Sequence, residues 1–542
     1  MIKGWTGKRL RIDLSLQKAW SEDIILEDLR QWFGGRGLNA SFFSQHFQTP
    51  ISPSSPDNPI AFAVGPLTGT LAPCSGWTSI ASFSPLSDSP TYEFTRMPGH
   101  FGASLKAAGF DQCILQGKAD RPVYLWIDGG EVKFEKADYL WGKETTETTV
   151  ALQEEKGDRS IEVLCIGPAG EKQIPFANVI HRLSWTGDRL GLGYLFGVKR
   201  LKAIAIRGKK PITLQDPKKF LNLCLSLKDQ IHQGQKMRRL KEEGALSLLG
   251  REERRSPRNG NRWLLPGSEK QWATSLWANL SGWEGCFACP VHCGRNIQHQ
   301  EKCLGGIHLE KAWYLGPQIG VYNGEWTLRL HRFCQAQGLD PYLTASLLGR
   351  ILEGVETGTL SEEDLRQTDD IEDQGEKVFA ILRRMINGGK KEFHLSAPPL
   401  PENGAPRTKS VAPCPTPMWG DIPAARWRIP PGPEAVEYCS RNEDLDILAD
   451  IVSFCMIVVN RLNLMTVSNI IDLINGATGY ALTIEDLQET ISNIRQMESR
   501  LQNKKLHWND QSTLLPLGKG QISQILRKEE RRNVSISNRT AS

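Results

Sequence analysis

Three cysteines fall within eight residues in Cys286-Phe287-Ala288-Cys289-Pro290-Val291-His292-Cys293, a C-x2-C-x3-C run. Thiolates this close in the chain can wrap a compact inorganic core. Iron-sulfur clusters are held by cysteine thiolates, with the last ligand often remote in sequence. Structural zinc prefers two ligand pairs, and no second C-x2-C exists here. The spacing therefore points to a [4Fe-4S] cluster ahead of zinc or of buried free thiols. It does not set the fourth ligand. Cys303 is the nearest candidate, and Cys334, Cys414, Cys439 and Cys455 are the others.

What positions such a run depends first on the class of the chain. At 542 residues it is too long for one hydrophobic core, which predicts two or three domains with room for a buried cofactor. A hydrophobic fraction of 39%, sixteen tryptophans and a net charge of only +5 exclude disorder as the main state. The longest near-continuous apolar run, Ile451 to Val459, is about half of the roughly 18 residues a membrane span needs, so no membrane association is expected. The start, Met1-Ile2-Lys3-Gly4-Trp5-Thr6-Gly7-Lys8-Arg9, lacks the apolar core of a secretory signal. A cytoplasmic location follows as the expectation, and there thiols stay reduced, so the twelve cysteines read as ligands or free thiols, not disulfides. The basic stretch Lys236 to Arg262 is interleaved with Glu242, Glu243, Glu252 and Glu253 and reads as a solvated face, so no nucleic-acid partner is expected.

The elements follow from periodicity. Leu10, Ile12 and Leu14 alternate with polar neighbours, the mark of a half-buried strand. Pro122 to Glu135 predicts a hairpin turning at Asp128-Gly129-Gly130. Strands with glycine-rich turns recur to Gly208, giving a β-rich domain over 1–208. Helical patterns follow at Phe220 to Ile231, Trp326 to Gln337, Ala345 to Glu353 and Glu376 to Ile386, giving a helical domain over 212–397 that carries the cysteine run. Residues 398–433 hold eleven of the thirty-one prolines and read as a linker or loop. In 434–518, a second helical domain, Leu445 to Val459 reads as one helix. Val467, Ile470, Ile471 and Ile474 line one face of the next, and Thr483 with Asp486 caps a third. A polar tail occupies 519–542. The fold class is α+β, a β-rich N-terminal domain followed by two mostly helical ones, with no internal repeat of 20 to 50 residues.

Several motifs stand in a telling order: Gly4-Trp5-Thr6-Gly7-Lys8, Gly34-Gly35-Arg36-Gly37-Leu38, Gly65-Pro66-Leu67-Thr68-Gly69, Leu105-Lys106 with Ala108-Gly109-Phe110-Asp111, Gly167-Pro168-Ala169-Gly170-Glu171, Leu201-Lys202-Ala203-Ile204 and Ala477-Thr478-Gly479-Tyr480. With them the chain resembles the tungsten- or molybdenum-pterin aldehyde ferredoxin oxidoreductases, from its first residues to about Asn503. The resemblance implies a β-rich base under a bispterin tungsten or molybdenum centre, a [4Fe-4S] cluster beside one pterin, a small aldehyde substrate, ferredoxin or a similar carrier as electron acceptor, and a homodimer. It makes Cys286, Cys289, Cys293 and Cys455 the cluster ligands. Cys455 ends Asp450-Ile451-Val452-Ser453-Phe454-Cys455, which is similar to the family's Asp-x-x-Gly-Leu-Cys motif. The twin Asp-x-x-Gly-Leu-Asp motif matches Gln335 to Asp340. Gly338, Leu339, Asp340 and Asp450 would meet the polar pterin edges, as would Arg189 in the counterpart of a Gly-Arg-Gly-Gly run.

Glu310, in Gly306-Ile307-His308-Leu309-Glu310, resembles the family glutamate that approaches the substrate and is the catalytic candidate; its other reading is a helix-start carboxylate. His292 and His308 read as structural. Asp450 has a second reading too, as the solvated face of the helix Leu445 to Val459. Departures concern the cofactor: Gln335, Ser453 and Phe454 replace Asp, Gly and Leu of the motifs, and Trp77 stands where the family has a basic residue. They keep open a rival role, an iron-sulfur electron-transfer or interaction subunit without the pterin metal.

Overall fold

The computed structural model describes residues 2–87, 89–244, 268–299, 302–356, 373–387, 434–462 and 464–502. The proline-rich stretch 398–433, Cys414 and the tail 519–542 lie outside the described residues.

The alternation at Leu10 and Ile12 builds β1 (Lys8–Asp13), whose apolar side chains enter the core while Arg9 and Arg11 lie over the Phe42 ring on the other face. With β2 (Lys18–Asp23), β3 (Ile60–Ala63), β4 (Thr78–Ser84), β5 (Thr91–Met97) and β6 (Gln112–Gln116) it forms a six-stranded sheet in the order β2-β1-β6-β3-β4-β5. A second sheet repeats the size: β7 (Val123–Asp128), β8 (Glu131–Lys136), β9 (Glu162–Ile166), β10 (Val179–His181), β11 (Trp185–Thr186) and β12 (Leu201–Arg207), ordered β11-β10-β9-β12-β7-β8. Each sheet holds one parallel pair, β1 with β6 and β7 with β12, and is otherwise antiparallel. The expected hairpin is β7–β8, and Gly129 (φ 61°) and Gly130 (φ 107°) supply the positive φ its turn requires. Side chains from both sheets, among them Ile12, Phe62, Leu125 and Ile204, join Phe101 and Leu105 of the helix Phe101–Ala108 in one apolar cluster.

The expected helices form at Pro217–Gln233, Gly324–Gln337, Pro341–Glu356 and Gln374–Asn387, then at Val467–Thr478 and Ile484–Leu501, the last capped reciprocally by Thr483 and Asp486. Two expectations are corrected. The middle region is not helical throughout, because β13 (Leu280–Glu284), β14 (Gly294–His299) and β15 (Lys302–His308) make a small antiparallel sheet, and the cysteine run is the connection between β13 and β14. These strands are glycine-bearing and their apolar alternation is weak, so periodicity missed them. The second correction is that Leu445 to Val459 is not one helix. The helix runs Glu434–Val452 and ends at Ser453, whose φ is 61°. Among the described residues no helix is long and apolar enough to cross a membrane.

A buried charge network joins the N-terminal sheets to the C-terminal helices. Arg36 is fully buried and donates Nε–H to Glu498 at 2.7 Å, with Asp450 at 3.5 Å. Arg96 Nε pairs with the other oxygen of Asp450 at 2.5 Å, and Arg96 Nη2 stands 3.6 Å from Asp446. Asp450 is 4% exposed, which overturns the solvated-face reading: the face looks inward because two arginines wait there.

Two expectations for stability follow. Removing one member of a buried pair leaves the other charge unmatched, so Arg36→Ala should cost about 3–5 kcal/mol in chemical denaturation. The double variant Arg36→Met with Glu498→Leu should recover most of that loss, and a double variant no better than the single one would show that the ion pair is not the reason for the cost. The second concerns acid. Burial holds His181 and His331 down to about 3. His181 donates Nδ1–H to Val163 O and accepts the His100 N–H at Nε2, leaving no place for a second proton. Below pH ~6.5 the unfolded chain takes up protons that the folded one refuses. Stability should thus fall as pH drops from ~6.5 towards 3, by up to roughly 1.4 kcal/mol per pH unit per histidine. Urea midpoints at pH 7 and 5 measure this, and His331→Gln should flatten the slope.

Candidate functional site

Two helix ends organise the site, and they are built alike. At Asp450 to Cys455 the Ser453 N–H donates to Asp450 O at 3.3 Å and the Phe454 N–H to Ala449 O at 2.8 Å. At Gln335 to Asp340 the Gly338 N–H donates to Gln335 O at 3.1 Å and the Leu339 N–H to Cys334 O at 2.7 Å. Both are Schellman closures with the fourth motif residue left-handed, Ser453 at φ 61° and Gly338 at φ 72°. The twin motifs are therefore one backbone device, which turns the chain so that its sixth residue, Cys455 or Asp340, leaves the helix axis. Serine is strained in this conformation, and its partners hold it: Ser453 Oγ accepts the Gly65 N–H at 2.7 Å, and its carbonyl accepts the Trp77 N–H at 3.2 Å.

The two Gly-Pro motifs seat these ends. A Cβ on Gly65 would stand 2.5 Å from the Val452 carbonyl carbon, and one on Gly167 2.5 Å from that of Gln337. Gly35 (φ 43°) is tighter still, 1.9 Å from Asp450 O. Only glycine lets backbone approach backbone at these distances. Each Gly-Pro turn follows a strand of its own sheet, β3 or β9, so the two halves of the β region repeat one arrangement that the sequence, too diverged to show a repeat, conceals.

The first helix end brings Cys455 to the cysteine run. The Cys455 N–H donates to Cys74 O at 2.9 Å, and the Cys74 N–H to Ala288 O at 3.0 Å. The run is also pinned from the β domain, Phe287 N–H donating to Gly99 O at 3.0 Å. Ala288, His292, Ser453 and Cys74 all have positive φ, four of the eleven such non-glycine residues among those described. Local strain of this kind persists only where surrounding structure imposes it. Burial and the neighbouring thiols, Cys289 first and Cys455 among them, push Cys286 and Cys293 well above the ordinary thiol range. Cys289 is drawn down to about 7, by the Cys74 thiol and then by backbone groups of His292 and Val291. Among the described residues no three His, Cys, Asp or Glu side chains converge on one metal-ion position. Ligands of a cubane each bind a different iron, so their sulfurs stand around a larger object than one ion.

The Cys303 backbone stands apart from the run. On β15 it pairs with Gln298, five residues along from Cys293, about 16 Å at the strand rise. Cys334 lies on the buried face of the helix Gly324–Gln337, in another apolar cluster.

At the second helix end Asp340 is 1% exposed and fully bonded: Oδ2 accepts the Arg189 N–H at 2.6 Å, and Oδ1 accepts the N–H groups of Tyr342 and Leu343. Burial, with Asp188 nearby, raises it to about 6. Leu339 bridges to Ala177, and the Arg189 guanidinium lies over the Tyr342 ring. Glu310 is buried in the first turn of the helix Leu309–Leu315, its Oε2 3.9 Å from His308 Nδ1. Lys311 follows, 3.5 Å from Asp188. The indole N–H groups of Trp77 and Trp185 are buried and find no partner among the described residues. Trp185 lies against Gly99, the residue that receives Phe287, so the two donors flank the nest.

Sequence reasoning missed Cys74, whose Sγ is 3.8 Å from that of Cys289, and missed Arg96 as a partner of Asp450 and Glu498 as the partner of Arg36. Their signals are separations of 215, 354 and 462 residues, which no local spacing carries.

The model of the aldehyde ferredoxin oxidoreductase N-terminal domain matches residues 9–208, and that of the family's domains 2 and 3 matches residues 231–392. The chain is 32% identical over 368 residues to the tungsten-containing aldehyde ferredoxin oxidoreductase of Pyrococcus abyssi, covering 67% of this chain and 60% of the relative. It is 26% identical over 412 residues to the aliphatic sulfonate oxidoreductase, WOR-like subunit, of Pyrococcus furiosus, covering 70% and 64%. The solved active site complex BamBC of benzoyl coenzyme A reductase superposes with a TM-score of 0.77 at 19% identity, covering 93% of this chain and 89% of that one, a likeness of fold. The match to P. abyssi spans less than two thirds of that relative's length. With both family models matched in order and 32% identity across two thirds of its length, this chain belongs to the aldehyde ferredoxin oxidoreductase family.

Proposed function

We propose that the protein oxidises a small aldehyde to a carboxylic acid at a tungsten- or molybdenum-pterin centre and sends the electrons through a [4Fe-4S] cluster to ferredoxin or a similar carrier. The observation that carries this reading is the meeting of Cys455 with Cys286, Cys289 and Cys293 in one nest, four thiols whose charges, once ionised, a cationic iron core would neutralise. The donor set fits the cluster. The pterin side fits as well, because the orphaned indole donors of Trp77 and Trp185 suit a polar heterocycle that must find partners once buried.

When bound, the pterin metal supplies the two-electron redox chemistry, aldehyde and water giving acid, two protons and two electrons. The chain's part is positional. Gly338, Leu339 and Asp340 would present one pterin edge, with Arg189 held to them through its N–H on Asp340. Asp450, its oxygens on Arg96 and Arg36, fixes the other helix end. Glu310, buried beside His308, is assigned as the base that takes the proton of the attacking water, handing it on towards the imidazole.

The rival reading, an iron-sulfur subunit without the pterin metal, draws support from Trp77 in place of a basic residue and from the engagement of both Asp450 oxygens by arginine. Elemental analysis of anaerobically purified protein decides. Iron with tungsten or molybdenum is expected; iron alone selects the rival, and zinc alone rejects both. Within the enzyme reading, Glu310→Gln should lower aldehyde oxidation by about 10²–10⁴-fold at unchanged metal content, and retained activity would remove Glu310 from the chemistry. Cys455→Ser should lose the low-temperature resonance of the reduced cluster while Cys303→Ser keeps it; the opposite pattern would show that the ligand set is wrong.

A further inference from the structure

The nest holds five sulfurs, whereas a cubane takes four protein ligands. The surplus thiol is Cys74. It is 1% exposed, and its peptide unit is fastened on both sides to ligand segments, N–H to Ala288 O at 3.0 Å and C=O to the Cys455 N–H at 2.9 Å. Its φ of 66° aims the residue from a strained turn, and its Sγ lies 3.8 Å from Cys289 Sγ. That separation is a sulfur hydrogen bond, and between two thiols either sulfur could donate.

We propose that Cys74 is a positioning residue that sets the reduction potential of the cluster by donating its S–H to the Cys289 sulfur, without itself binding iron. The inference rests on the cluster reading above. A Cys289 bound to iron is a thiolate with no proton, which leaves Cys74 as the donor. A fifth buried anion beside four thiolates is costly, so the surplus sulfur, 1% exposed, is the one that donates. Hydrogen bonds to cluster sulfurs draw off negative charge and favour the reduced, more anionic state. The locked backbone matters because both attachments of Cys74 are to segments carrying ligands, so the thiol is held in register with Cys289 on one side and Cys455 on the other.

The test uses the full chain, purified anaerobically, with iron content and a redox titration followed by the resonance of the reduced cluster. Cys74→Ala should keep its iron while the midpoint potential falls by the equivalent of about a tenfold change in the reduction equilibrium, about 59 mV for one electron. Cys74→Ser, whose hydroxyl still donates, should stay closer to the wild type. Cys74→Gly suits the left-handed backbone and is a second donor-free variant, expected to match the alanine protein. A wild-type midpoint in either donor-free variant overturns the proposal, and so does loss of iron from both, which would make Cys74 a ligand. Wild-type protein without iron refutes the cluster reading itself, an outcome distinct from an unshifted potential.

Discussion

The contact on which the rest depends is backbone against backbone, the end of the helix Glu434–Val452 lying on the glycines of the β domain. Gly65 faces Val452, Gly35 faces Asp450 O, and Gly34 lies within reach of Ile451 O. At these glycines backbone meets backbone directly, so no side chain can be trimmed there to accommodate a change. Once the helix end is seated, the position of Ser453 follows from the Gly65 N–H, the position of Cys455 from Cys74, and the run from Gly99 and Cys74 together. Arg36 sits next to Gly35 and locks the same junction by charge, with Glu498 drawn from the last helix. A motif that looks like a glycine-rich loop in the sequence thus acts as a docking surface with an arginine bolt.

The same device is used twice with different last residues, and chemistry follows from that difference. On the proposed function, a soft thiolate at the sixth position would make Cys455 a ligand for iron, whereas the carboxylate at the same position makes Asp340 a hub of hydrogen bonds to the Arg189, Tyr342 and Leu343 amides. One architecture so sets a thiol at the end of one helix and a hydrogen-bonding carboxylate at the end of the other, the two kinds of group that the proposed centre would need.

Much of this was legible locally. The alternation at Leu10 and Ile12, the hairpin at Gly129-Gly130 and the cap at Thr483 each depend on residues close in the chain, and each stands where local pattern put it. The β13–β15 sheet was not legible, since its strands are short, glycine-bearing and backed by few apolar positions. The break at Ser453 was not legible either, because nothing in serine itself predicts φ 61°; its support comes from Gly65 and Trp77, nearly four hundred residues away. The second reading of Asp450, as a solvated face, fails for the same reason, its arginine partners being remote.

The strain in the nest says how a cluster would enter it. Four non-glycine residues there hold positive φ, at a cost of order 1–3 kcal/mol each, and they hold it through hydrogen bonds between protein groups: Cys74 to Ala288, Cys455 to Cys74, Phe287 to Gly99, Ser453 to Gly65. Those bonds, and the glycine seats behind them, do not pass through a metal. Zinc fingers depend on their ion to fold at all; this cage is shaped by a helix end, two sheets and an arginine network that extend well beyond it. On the proposed reading a cluster would find these four cysteines already gathered, and part of its binding energy would go to ionising Cys286 and Cys293, which burial keeps protonated, not to building the fold around them.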